Sequence, residues 1–154
     1  MPQRHFDLDY IEEVIGLLRN LPEDTVPRWG QLRRGTLIEH LIWNIRQAMG
    51  RSHHVPFVGN WVTRAIVKPI VLSGVFPMPR NVKLPAKLRA RQIELREGGD
   101  LETLHALLEE YAGLVQADEL QPGIHPLFGP MSVDDWDRLL VLHYEHHLKQ
   151  FALR

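Results

Sequence analysis

No cysteine occurs among the 154 residues. Disulfides, a thiolate nucleophile and cysteine metal ligands are therefore excluded, and histidine and carboxylate remain as candidate ligands. Serine is also scarce. Only Ser52, Ser73 and Ser132 are present, and Ser132 is placed to cap a helix, which leaves little from which to build a serine-hydrolase triad. Neither GxxxxGK nor GxGxxG occurs, so nothing suggests a cradle for nucleotide phosphates. The longest apolar run, Ala65 to Phe76, is interrupted by Lys68 and Pro69 and is too short to span a bilayer. Asp7, Asp9, Glu12 and Glu13 fall within the first twenty residues, unlike a signal or transit peptide. We expect a cytoplasmic protein without a membrane partner, forming one domain over residues 1–154. Strand-like alternation is missing as well, which points to the all-α class.

Four stretches carry apolar residues at helical spacing. The first covers about 7–20, with Ile11, Val14, Ile15 and Leu18 behind Asp7 as a possible cap. A second, 34–50, places Leu37, Leu41, Ile45 and Ala48 on one side and ends at Gly50. The third, 100–117, repeats Leu101, Leu104, Leu108, Tyr111 and Val115 after Asp100. The fourth, 132–150, opens on Ser132 with Asp135 three residues later, the pattern of a capping box. Between the second and third lies a 51–99 strap containing Pro56, Pro69, Pro77, Pro79 and Pro85. A connection of that length in a compact domain should hold some structure of its own, and a short helix is expected around Trp61 to Leu72. It could cross the full length of a bundle. The second and third helices would then run parallel, giving a four-helix up-down-down-up bundle with a long proline-rich crossover.

The segment from His143 to Gln150 carries the most chemical information. On a wheel of about 100° per residue, His143 and His147 share the face of Trp136, Leu140 and Phe151, opposite Asp134, Asp137, Glu145 and Lys149. Buried imidazoles need partners, because an unpaired polar group in a core costs on the order of 1–3 kcal/mol. One divalent metal would serve both rings. Hydrogen bonds to carboxylates or carbonyls of neighbouring helices would serve equally, and HxxxH without the metalloprotease glutamate leaves both readings open. His40 is the best placed third ligand. It shares a column with Thr36, Asn44 and Gln47 in the inward half of the second helix, although a half-exposed polar edge would look the same.

Taken together, Trp29, His40, His143, His147 and Gln150 stand in an order that resembles the DinB-like superfamily of small helical-bundle metalloproteins. The likeness extends over nearly the whole chain. It is greatest to a branch of unknown function, through His125-Pro126-Leu127-Phe128-Gly129, Trp136 and the run from His143 to Phe151. The resemblance implies a divalent metal, zinc or nickel, held by His40, His143 and His147 with open coordination positions, and a small-molecule substrate. Three neutral imidazoles would leave the full dipositive charge on the ion, which can bring the pKa of a bound water to about 7 or hold an external low-molecular-weight thiol as thiolate. A thiol-dependent S-transferase is the first reading and a metal-dependent hydrolase the alternative, with Glu109 or His146 as candidate proton carriers. The resemblance also implies dimers through bundle helices, and Ile38, Ile42 and Met49, beyond the main stripe of the second helix, are expected to offer surface for a homodimer. Since imidazole must be neutral to bind, metal affinity is expected to fall as pH drops through about 6.5.

Charge is distributed unevenly. From Arg51 to Arg91 stand eight Lys or Arg (Arg51, Arg64, Lys68, Arg80, Lys83, Lys87, Arg89, Arg91) and no Asp or Glu, while the stretch from Gln92 to Arg154 carries twelve acidic residues against four basic. A non-catalytic module that binds an anionic partner through this 51–91 segment is the reading from a different class. The segment lacks regular aromatic interleaving and the chain is neutral overall, so we expect the strap to lie over the acidic third and fourth helices and no nucleic acid to bind. His53 and His54 are expected at the surface, His105 in a pair with Glu109 one turn on, and His146 beside the ligand face. His125 is assigned no chemistry.

Overall fold

The computed structural model describes residues 3–51, 57–80, 86 and 99–154. The expectations for His53, His54, Lys83, Lys87, Arg89, Arg91, Pro56 and Pro85 concern residues outside these. Among the described residues the structure is all-helical, with no strand and one isolated bridge between His125 and Gly129. Four long helices are α1 (Leu8–Arg19), α2 (Arg34–Ala48), α4 (Leu101–Gln116) and α5 (Val133–Gln150). A π-helical turn, Thr63–Val67, leads into the short α3, Lys68–Ser73, where the sequence placed a short helix. No described helix is long and apolar enough to cross a membrane.

The caps follow from the residues that precede each helix. Asp7 accepts from the Tyr10 N–H at 3.0 Å and Asp100 from the Thr103 N–H at 2.9 Å. Ser132 and Asp135 exchange bonds of 3.0 and 3.1 Å as a capping box, satisfying N–H groups that the helix cannot. At the other end of α2, Gly50 adopts φ +70°, a left-handed conformation that stops the helix at little cost to glycine. Ile11 and Ile15 of α1, Ile42 and Ile45 of α2, Leu104 and Leu108 of α4, and Trp136 and Leu140 of α5 form the driest part of one continuous core.

Contacts between the helices set their neighbours. Arg19 near the end of α1 meets Glu102 at the start of α4, and Glu12 meets His105. The Arg34 guanidinium donates to the Leu18 carbonyl, joining the end of α1 to the start of α2. Along α5, Asp137 accepts from the Phe6 N–H at 2.7 Å, Glu145 from the Tyr10 hydroxyl at 3.0 Å, and Arg154 just beyond the helix pairs with Glu13.

Ile38, Ile42 and Met49 are not a spare surface on α2. They are 2%, 0% and 6% exposed, covered by the chain's own helices, so the surface suggested for a homodimer is absent. Exposed apolar side chains gather instead around α3, where Trp61, Val75 and Phe76 are 71%, 74% and 66% accessible. The idea that the strap lies over acidic helices holds for two of its described cations. Lys68 pairs with Asp135 of α5 at 2.8 Å, and Arg51 with Glu110 of α4.

One close approach ties the segment before α5 to α2. The Gly123 N–H donates to the Ala48 carbonyl at 3.1 Å, and its carbonyl accepts from the fully buried Trp136 Nε1–H at 2.9 Å. A Cβ at Gly123 would stand 2.0 Å from the Gln47 carbonyl oxygen, a backbone atom that cannot turn aside. Gly123→Ala is therefore expected to cost about 3 kcal/mol or more, since the clash also displaces the anchor of Trp136. Urea unfolding measures it. A loss below about 0.5 kcal/mol, the usual range for surface changes, would mean that this contact does not hold α5.

Candidate metal centre

α5 brings His143 and His147 to one face because residues four apart lie one turn above each other. α2 supplies the opposing ring. His40 Nε2 lies 3.0 Å from His143 Nε2, and His147 Nε2 lies 3.0 Å from the same atom. All three ring nitrogens fall within 4.8 Å of one another, and the group could hold a metal ion. His147 is buried, and His40 and His143 are half-buried.

The hydrogen bonds behind the rings decide which nitrogens face inward. Gln150 donates its Nε2–H to the Trp29 carbonyl at 2.9 Å, and a carbonyl can only accept. The Gln150 Oε1 is thereby left toward His147 Nδ1 at 2.8 Å, and that nitrogen must carry the proton. His143 Nδ1 stands in the same relation to Asn44 Oδ1 at 3.3 Å. With both Nδ1 atoms protonated, the two Nε2 atoms present lone pairs to each other at 3.0 Å. Such a contact is repulsive unless a cation lies between them. A separation of 3.0 Å is what two nitrogens about 2.0–2.1 Å from a shared ion subtend at an angle of about 90–100°. The donor set thus fits a divalent ion held by neutral imidazoles.

Protonation states agree with that chemistry. Burial pushes His40 down to about 4, and burial together with the neighbouring His40 pushes His147 down to about 3. His143 is held well below its usual value by burial and by the two rings it faces. All three are neutral at physiological pH, the form that binds metal.

The four remaining described histidines, His5, His105, His125 and His146, occupy separate positions. His146 lies beside the centre, its ring 5.2 Å from that of His147 and 5.5 Å edge-on from Trp29, and burial followed by the charges of Arg80 and Lys149 lowers its pKa. His105 pairs with Glu12 and, 3.6 Å away, with Glu109. Those three residues form a separate group at the junction of α1 and α4. Glu109 is exposed there, and the structure does not bring it into the three-histidine group, because its helical face is turned toward α1. His5 accompanies Asp137 near the N-terminus at 3.0 Å.

His125, given no chemistry from the sequence, holds the HPLFG loop together. Its Nδ1 accepts from the Leu127 and Phe128 N–H groups, each at 3.1 Å, and its ring stacks on Phe128 at 4.4 Å. Burial and the charge of Lys68 push it down to about 4, keeping that acceptor free. The histidine before proline in a glycine-closed loop was the available signal.

Asn44 and Gln150 are the residues whose roles the sequence did not assign. Both are buried amides whose oxygens orient a candidate ligand. Gln150→Leu should weaken metal binding by about 10–100-fold, the usual effect of losing a group that orients a ligand. Competition against a chromophoric chelator would read this directly, and an unchanged affinity would remove Gln150 from the site.

The chain matches, over residues 2–154, a family described as "Protein of unknown function (DUF1569)". No curated protein and no solved structure matches it.

Proposed function

The chain belongs to the DUF1569 family, whose description assigns no chemistry, and from its own residues we propose that it is a metal-dependent enzyme in which His40, His143 and His147 hold one divalent ion, zinc or nickel. The observation that carries this reading is the convergence of three neutral imidazoles on a common point, with the Nε2 lone pairs of His143 and His147 turned toward each other. In a protein without the ion, the His143–His147 contact costs free energy. Its surroundings support the same reading, since Asn44, Gln150 and the Trp29 carbonyl hold the His143 and His147 rings before any ion arrives.

The scaffold is proposed to be an up-down-down-up bundle of the DinB-like kind, with the strap crossing between α2 and α4. Arg51–Glu110 and the approach of Gly99 to Ile42 support parallel α2 and α4, and Arg19–Glu102 with Glu12–His105 supports an antiparallel α1.

A bound divalent ion would supply Lewis acidity and ease the loss of a proton from water or from a thiol. The chain's own residues would do the rest. Gln150 and Asn44 keep the ring nitrogens aimed, the core beneath Trp136 and Leu140 excludes water from one side, and His146 stands close enough to exchange a proton with a molecule entering beside His147. Because the chain has no cysteine, sulfur chemistry requires an external thiol, and the activity proposed is transfer of such a thiol to an electrophilic small molecule. The experiment is metal analysis of the purified protein, then turnover of a panel of electrophiles with and without low-molecular-weight thiols. One equivalent of metal and thiol-dependent turnover is expected. Turnover without thiol would favour hydrolysis at the same centre, and a protein that takes up neither zinc nor nickel would overturn the reading.

A further inference from the structure

We propose that Arg80 is the anchor for an anionic group on the substrate, so that the centre selects small molecules bearing a carboxylate. This rests on the metal reading above and names the substrate class for it. The argument begins with charge. His40, His143 and His147 are neutral, their supporting groups are the amides of Asn44 and Gln150, and no carboxylate belongs to the cluster. An ion held there would keep its full dipositive charge in a half-buried setting, where an uncompensated charge is costly and an entering anion is favoured.

A further cation is linked to the three histidines through Trp29 and His146. The Arg80 guanidinium lies 4.0 Å over the Trp29 ring, Trp29 meets the His146 ring at 5.5 Å, and His146 is 5.2 Å from His147. Through its carbonyl, Trp29 also receives the Gln150 amide that orients His147. Arg80 is thus placed by the residue that braces a ligand. Among the described residues, the strap cations Arg51 and Lys68 pair with Glu110 and Asp135, whereas Arg64 and Arg80 have no ion pair; Arg64 stands 5.8 Å over Phe57, and Arg80 is the one of these two that stacks on a residue bracing the centre. Stacking on an indole fixes the guanidinium plane and leaves its edge donors for a bidentate acceptor. A second unanswered donor lies on the opposite helix. The buried Trp43 Nε1–H has no hydrogen-bond partner among the described residues, and its ring is stacked 6.3 Å from that of His40. Donors without acceptors around a cationic centre fit a ligand rich in acceptor oxygens.

The test uses the whole chain loaded with nickel and a matched pair of thiols, mercaptoacetate and 2-mercaptoethanol, followed by the thiolate-to-nickel absorption band. Wild type should bind mercaptoacetate about tenfold or more tightly than 2-mercaptoethanol, the effect expected of one charge-assisted contact. In Arg80→Met, which keeps an apolar chain against Trp29, the preference should shrink by about tenfold, the share of one charge-assisted contact, while nickel affinity and 2-mercaptoethanol affinity stay unchanged. Arg80→Lys should restore part of it. Equal affinity for the two thiols in wild type, or an undiminished preference in Arg80→Met, would overturn the role of Arg80 and leave the metal reading standing. Failure of wild type to take up nickel or zinc would overturn both.

Discussion

His143→Ala is expected to lower the affinity for zinc or nickel by on the order of a hundred- to a thousandfold. Its Nε2 lies at the centre of the group, 3.0 Å from that of His40 and 3.0 Å from that of His147, so its removal dismantles both contacts. The estimate follows from sharing the roughly 10–16 kcal/mol of a four-ligand zinc site among its ligands. Asn44 also loses the ring it orients, leaving a polar cavity beside Leu140. His147→Ala should behave alike, with Gln150 as the stranded partner. His146→Ala, one position along on the shoulder of α5, should change affinity much less. Calorimetric titration with zinc, alongside circular dichroism to verify helicity, separates these variants. Stoichiometric tight binding in the variant lacking all three of His40, His143 and His147 would remove the physical basis of the proposed enzyme.

Acid should release the metal later than free imidazole chemistry suggests. From the sequence, affinity is expected to fall as pH drops through about 6.5, the value of an unperturbed histidine. Burial changes that expectation, because it holds His40 at about 4, His147 at about 3 and His143 well below its usual range. In the folded protein, protons therefore do not compete for the ring nitrogens until pH approaches 4. The unfolded chain behaves differently, since its histidines titrate near 6.5. Between about 6.5 and 4, unfolding takes up protons that the folded state refuses, so the stability of the metal-free protein falls with pH throughout that window. A histidine held at about 4 gives up on the order of 3 kcal/mol at the acid limit, a large share of a domain's stability. Metal release and loss of helix should therefore coincide, below pH 6.5, with bound metal moving both to lower pH. A chromophoric metal indicator read together with far-ultraviolet circular dichroism tests this. Release centred at pH 6.5 from a fully helical protein would contradict the burial argument.

Sequence by itself determined what a single helix determines. The caps at Asp7, Asp100 and Ser132, the stop at Gly50 and the apolar stripes of α1, α2, α4 and α5 are local, since they depend on hydrogen bonds within a few residues and on a fixed rotation per residue. The common face of His143 and His147 is legible for the same reason. His40 could be singled out on its own helix, but its meeting with His143, 103 positions away, was decided by how α2 packs on α5, which no periodicity contains. Packing also decided that Ile38, Ile42 and Met49 would be covered within the chain, while Trp61 and Phe76 stayed exposed. It turned Glu109 toward α1, and it made ring-orienting groups of Asn44 and Gln150, which as isolated amides had only a polar identity. A helix wheel fixes direction about one axis. The distance and angle between axes, on which a shared ligand point depends, arise from side chains interlocking across the core.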